Sequence, residues 1–123
     1  MSKELVTKVS TRYLQGRQQQ LLTQTIRKQL PPLYSQDGVS DPIVYVKFFH
    51  PYGSGTWLAT EFDGRDQFFG AVNLGHGWEL GYFSLRELES QVGTFQGRPM
   101  PGVQGIERDQ SFKPKPLSQA KRQ

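Results

Sequence analysis

The sequence predicts an α+β domain. It reads as a four- to five-stranded antiparallel meander with an N-terminal helix and a short helix after strand four. Three observations carry this prediction. Four runs rich in β-branched and aromatic residues lie between Pro42 and Phe83, separated by glycine-containing turns. Before them, LLTQTIRKQL places Leu22, Ile26 and Leu30 at helical spacing. Directly after them, Ser84 and Glu87 make an S-x-x-E capping box.

The elements follow in order. Residues 1 to about 12 show no period and are expected to be a flexible N-terminus. The helix through Leu22, Ile26 and Leu30 ends at Pro31-Pro32, because proline lacks an amide donor and restricts the residue before it. A single apolar stripe on a polar helix must dock, most simply on the sheet. YSQDGVSDP is a loop. PIVYVKFFH, from Pro42 to His50, is apolar on both faces and predicts a central strand. PYGSG turns into TWLATEFD, the second strand, and DGRD offers a tight turn into QFFGAVNL, the third. LGHGW turns again into WELGYF, the fourth. In the helix that follows, Leu85, Leu88 and Val92 form the stripe and Gly93 is the stop. GRPMPGVQG predicts a loop, and GIERD a short edge strand or an extended arm. The tail from Lys113 is basic and prolyl and is expected to fray. The expected organisation is residues 1–12 flexible, 13–112 one α+β domain, and 113–123 a flexible basic tail.

Composition narrows the function classes. The chain has 123 residues, enough to bury a real core. It has no run of eighteen apolar residues, which excludes a helical membrane span. The start MSKELVTKVS lacks the apolar core of a signal peptide, and there are no cysteines. A cytoplasmic protein is expected, without disulfides or thiolate zinc sites. Charge is segregated: residues 1–40 carry six Lys/Arg and two Asp/Glu, residues 41–95 three and seven, and residues 96–123 six and two. Basic ends suit nucleic acid or an acidic partner, or merely keep a small protein soluble.

The second strand raises the main chemical question. Strict alternation puts Trp57, Ala59, Glu61 and Asp63 on one face, with Phe68, Gly70 and Val72 beside them. A carboxylate among aromatics is partly desolvated and needs a cation or another partner. Arg65, Arg86 and Arg108 are the candidate cations. Three readings compete. An internal ion pair of Glu61 with Arg108 would tie GIERD to the sheet. A divalent ion could sit among Glu61, Asp63, Glu79 and Asp109, since hard cations take carboxylate oxygens. Or a binding surface for a partner would comprise Trp57, Glu61, Asp63, Asp66 and Arg108.

Other chemistry is thinner. His50 and His76 are isolated and lack metal-ligand spacing. Ser84 serves better as a helix cap than as a nucleophile, having no G-x-S-x-G around it. The glycine turns at residues 53–55 and 74–77 lack the glycine-lysine ending of a phosphate loop. Nine aromatics, Tyr45, Phe48, Phe49, Trp57, Phe68, Phe69, Trp78, Tyr82 and Phe83, could form a stacking platform, but core demand leaves at most two exposed.

The blocks VKFFHP, TWLATEFDGRDQFFG, ELGYFSLRELE and GIERDQSFKPKPL resemble, in that order and spacing, an uncharacterised bacterial family catalogued as domain of unknown function 2958. The resemblance spans roughly Leu33 to Leu117, with residues 1 to about 28 beyond the usual family start. It implies a single-domain protein of bacteria, plasmids, phages or other mobile elements, and no activity. The family's blocks would fall on Trp57, Glu61, Asp63, Gly70, Glu79, Gly81, Tyr82, Ser84, Glu87, Glu107, Arg108 and Asp109. An Arg108 bridging Glu61 and Glu79 would explain why a sheet tolerates those acids.

The expected function is that of a small non-enzymatic binding or accessory protein of mobile-element type. It would act on a host protein or nucleoprotein complex, for instance as an inhibitor of a defence system, with no cofactor. Two alternatives stand beside it. One is metal-dependent hydrolysis through the carboxylates. The other is nucleic-acid binding through Arg12, Arg17, Arg27, Lys28, Lys113, Lys115, Lys121 and Arg122.

Overall fold

The computed structural model describes residues 19–122. The expected flexible stretch 1–12, with Arg12 and Arg17, lies outside the described residues. The α+β prediction is correct, with a mostly antiparallel five-stranded sheet and a few short helices. Helix α1 spans Gln24–Gln29, and its N-terminus is closed by Thr23, whose hydroxyl accepts from the Ile26 amide at 3.2 Å. Strands β2 (Val46–Phe49), β3 (Thr56–Phe62), β4 (Gln67–Asn73) and β5 (Trp78–Ser84) form the meander. Helix α2 (Leu85–Ser90) follows β5 directly, capped by the Ser84 hydroxyl at the Glu87 amide as its capping box requires.

GIERD supplies the fifth strand. In chain order it is β8, Glu107–Arg108, and it pairs antiparallel with β2. The sheet order is β5-β4-β3-β2-β8, so β5 is one edge and β8 the other. β2 lies inside the sheet, between β3 and the short edge strand β8. PIVYVKFFH is nevertheless two strands, because the chain leaves β1 (Ile43–Val44) at Tyr45 before β2 begins.

Two expectations about the chain's later part are corrected. GRPMPGVQG is not a loop: β6 (Val92–Phe95) and β7 (Arg98–Gln104) form a hairpin. Helix α2 therefore stops at Ser90, and Val92 is an exposed strand residue rather than part of the helix stripe. The basic tail is not frayed either. Strand β9 (Lys115–Pro116) pairs with β1, and helix α3 (Leu117–Ala120) buries Leu117 and Ala120. Asp41 fixes this end by accepting from the Ser118 amide at 2.9 Å and its hydroxyl at 2.6 Å.

The sheet has a core on each side. One face packs Val46, Phe48, Ala59, Phe62, Phe68 and Phe83 against Leu21, Leu22, Leu30, Leu85 and Leu88 from the two longer helices and their flanks. Phe68 is its hub, with ring centroids 4.5 to 5.5 Å from Phe62, Phe83 and Phe48. The other face packs Val44, Leu58 and Ala71 against Leu117 and Ala120 of α3. Helices thus cover both faces. The second cover is short, and the β4–β5 end of that face stays open.

Candidate functional site

A β-bulge decides where the carboxylates go. Ala59 pairs with Gly70, but the next pair is Glu61 with Phe69, so Thr60 is an extra residue in β3. One inserted residue reverses the alternation beyond it. Phe62 therefore joins Ala59 and Phe68 on the face where Glu61 was expected. Glu61 crosses to the opposite face, beside Phe69 and its neighbour Tyr82. Gly70 makes the bulge feasible: a Cβ there would lie 1.8 Å from the Leu58 carbonyl oxygen.

Glu61 is 4% exposed, and its carboxylate does not meet Arg108. Its two oxygens accept from the backbone amides of Tyr34 at 2.8 Å and Gln36 at 2.7 Å. Charge-assisted bonds of this kind are strong and hold the 31–42 loop over the sheet. Gln36 adds three more bonds. Its Nε2 donates to the Ile43 and Thr60 carbonyls at 2.9 Å, and its Oε1 accepts from the Ile43 amide at 2.7 Å. So anchored, Tyr34 adopts φ 72°, a left-handed conformation that a tyrosine rarely takes.

The other expected site residues have separate tasks. Asp63 caps the β3–β4 turn: its Oδ1 accepts from the amides of Arg65, Asp66 and Gln67 at 2.7 to 3.0 Å. Partial burial works to raise its pKa, but these bonds outweigh it and hold the carboxyl below its ordinary 3.8. Asp66 ties that turn to α2, accepting from the Ser84 hydroxyl at 2.6 Å and the Arg86 amide at 2.8 Å. The Ser84 bond first, then the Arg86 bond, lower its pKa too. Asp109 accepts from the Ser111 amide and hydroxyl. Glu79 is exposed on β5. Arg108 donates to the Gln20 and Leu21 carbonyls, and burial lowers its pKa. Trp57 packs half-buried against the main core. The surface expected from Trp57, Glu61, Asp63, Asp66 and Arg108 is thus dispersed. The four carboxylates considered for a metal are not brought together, and among the described residues no three His, Asp or Glu gather as a metal site.

The basic residues divide similarly. Arg27 donates to the Gly64 carbonyl at 3.0 Å and lies over the Phe62 ring. Lys115 lies over Phe112. Lys28, Lys113, Lys121 and Arg122 are exposed.

Three depressed aspartates, Asp63, Asp66 and Asp41 (lowered chiefly by its bonds from Ser118), give a pH prediction. A carboxylate with a lowered folded pKa contributes stability that is full above its unfolded pKa and is lost as pH falls through the folded one. The melting temperature should therefore drop as pH falls below about 4. Asp66→Asn should melt lower at pH 6 and lose less between pH 4 and 2.5. Parallel curves for variant and parent would refute this assignment.

What the tertiary structure does assemble is a groove of about 490 Å³ on the open face, between β4–β5, the 34–42 loop and α3. Glu61 and Thr60 lie in it, Phe69, Leu80 and Tyr82 line the sheet side, and Tyr34, Asp37 and Val39 line the loop side. Of the seven exposed large apolar side chains among the described residues, four line this groove: Tyr34, Val39, Leu80 and Tyr82. Leu80 is 63% exposed and Tyr34 67%. Tyr82 meets Phe69 edge-on with ring centroids 5.0 Å apart. Of the nine aromatics considered as a platform, Tyr82 alone is exposed, within the limit of two. The Tyr34 side chain hydrogen-bonds Tyr82, and this bond, burial, and the charges of Tyr34, Glu61 and Asp37 hold the Tyr82 phenol above its ordinary 10.0. The phenol stays neutral at physiological pH.

Sequence reasoning missed Leu80, Tyr34, Asp37 and Val39. One signal was present: in WELGYF, both Trp78-Leu80-Tyr82 and the opposite Phe83 are apolar, more than an edge strand over one core needs.

A family model described as a protein of unknown function (DUF2958) matches residues 15–121. The chain belongs to the DUF2958 family. The DUF2958 match begins well before residue 28, so α1 lies inside the family's extent, contrary to the expected start. No curated protein and no solved structure matches the chain. Among the described residues, no helix is long and apolar enough to cross a membrane.

Proposed function

We propose that this DUF2958 member is a non-enzymatic accessory protein that acts by binding another protein, and that the β5 groove is its interface. The observation that carries this reading is the concentration of exposed apolar side chains, Tyr34, Val39, Leu80 and Tyr82, around one groove. Contiguous exposed apolar surface is costly in water and marks contact sites. The groove's volume is in the range of ordinary binding sites, and tyrosine is a preferred anchor in interfaces. The groove's hydroxyls and ring faces offer contacts, and its buried acid, Glu61, holds two backbone amides. The wider reading is a cytoplasmic protein of mobile-element type whose partner is a host protein or nucleoprotein complex, an inhibitor of a defence system being one form. The charge segregation of the chain supports such a partner.

A photo-crosslinking residue at position 80, expressed in the bacterium that carries the protein, tests this. A discrete adduct is expected from Leu80 and none from Arg65, which sits on the β3–β4 turn. Equal crosslinking from both positions, or none from position 80, would sink the groove as an interface.

A further inference from the structure

We propose that the groove receives a basic side chain, arginine or lysine, carried by an extended segment of the partner protein lying along the outer edge of β5. This rests on the groove being the interface.

The floor of the groove calls for a cation. Glu61 is buried, and its hydrogen bonds come from two neutral backbone amides, Tyr34 and Gln36. A carboxylate has about four lone-pair directions, so acceptor capacity remains. Buried charge is stable when a counter-charge answers it. Asp37 adds a second carboxylate on the loop side. Both act on the Tyr82 hydroxyl, so their fields converge there. The groove's own cation is Lys121, which is exposed and whose charge also acts on Asp41, together with that of Arg122. The walls suit a cation as well. The rings of Tyr34 and Tyr82 offer faces that attract ammonium and guanidinium groups, more strongly where water is excluded.

The edge of β5 specifies how such a side chain arrives. β5 pairs along all seven residues with β4, and among the described residues with no other strand. It contains no proline or bulge, the common devices that block strand addition. An added strand would lie about 4.8 Å away, and every second side chain would point to the groove face. Apolar residues two positions to either side of the basic one would cover Leu80.

Selection of displayed random heptapeptides against the full-length protein tests the proposal. The selected peptides are expected to share a basic residue between apolar or β-branched ones. Their binding should shift the amide resonances of Gln36, Leu80 and Tyr82. It should weaken roughly fivefold or more in Asp37→Asn and in Tyr82→Leu, two exposed positions whose substitution leaves the core intact. Peptides that bind in the groove without a basic residue, or whose binding survives both substitutions, would overturn the cation site and leave the interface standing. Peptides that map elsewhere, or no binders at all, would overturn both. Binding only by acidic peptides would assign the groove to Lys121 instead and also overturn the proposal.

Discussion

Gly70→Ala is expected to unfold the protein or destabilise it by more than about 3 kcal/mol, the upper end of what overpacking costs. The added Cβ would sit 1.8 Å from the Leu58 carbonyl oxygen and 3.0 Å from the Ala59 Cα. Both are backbone atoms of β3, so no side-chain rotation relieves the clash. β3 would have to withdraw at its bulge, where the strand changes face. Gly81, paired with Gly70 across β4 and β5, is the matched control, because a Cβ there meets nothing within 4 Å. Gly81→Ala should be neutral, or stabilise by about 0.4–1 kcal/mol through a less flexible unfolded chain. Denaturant unfolding of the two variants measures the difference. Similar stabilities would mean that the close approach at the bulge is not as described.

Glu61→Gln is expected to cost about 2–3 kcal/mol even though it is nearly isosteric. Both carboxylate oxygens accept backbone amides, from Tyr34 and Gln36. A glutamine offers one oxygen and must turn its NH2 toward the other amide, donor against donor. Flipping the amide only exchanges which bond is lost. The carboxylate's charge, which strengthens both bonds, disappears as well. The expected signature is a lower melting temperature together with faster hydrogen exchange at Tyr34 and Gln36. A metal ligand at Glu61 would behave differently: the fold would be kept and only metal affinity lost. Unchanged stability and exchange would therefore revive the metal reading.

The sequence by itself determined much of the fold, for local reasons. Apolar spacing in LLTQTIRKQL, the Ser84–Glu87 box and the glycine turns each act within a few residues, so their structures can be read from one stretch. The family membership was legible in the order and spacing of four separate blocks, and a short edge strand at GIERD was one of the two readings its sequence offered. The β6–β7 hairpin was hidden because Pro99, Pro101 and Gly102 break any period that would announce a strand. The C-terminal segment was misread because its order comes from distant partners, Asp41 and β1.

The candidate site depended on tertiary structure. The apparent cluster of Trp57, Glu61 and Asp63 assumed strict alternation, and one extra residue at Thr60 undid it. That bulge is tolerated because Gly70, on another strand, has no side chain. Tyr34 and Val39 come from a loop whose position is set by Glu61 and Gln36 across more than twenty residues of sequence. The residue types of the groove were present in the chain. Their meeting was decided by which side chains packing and hydrogen bonding left on the open face of the sheet.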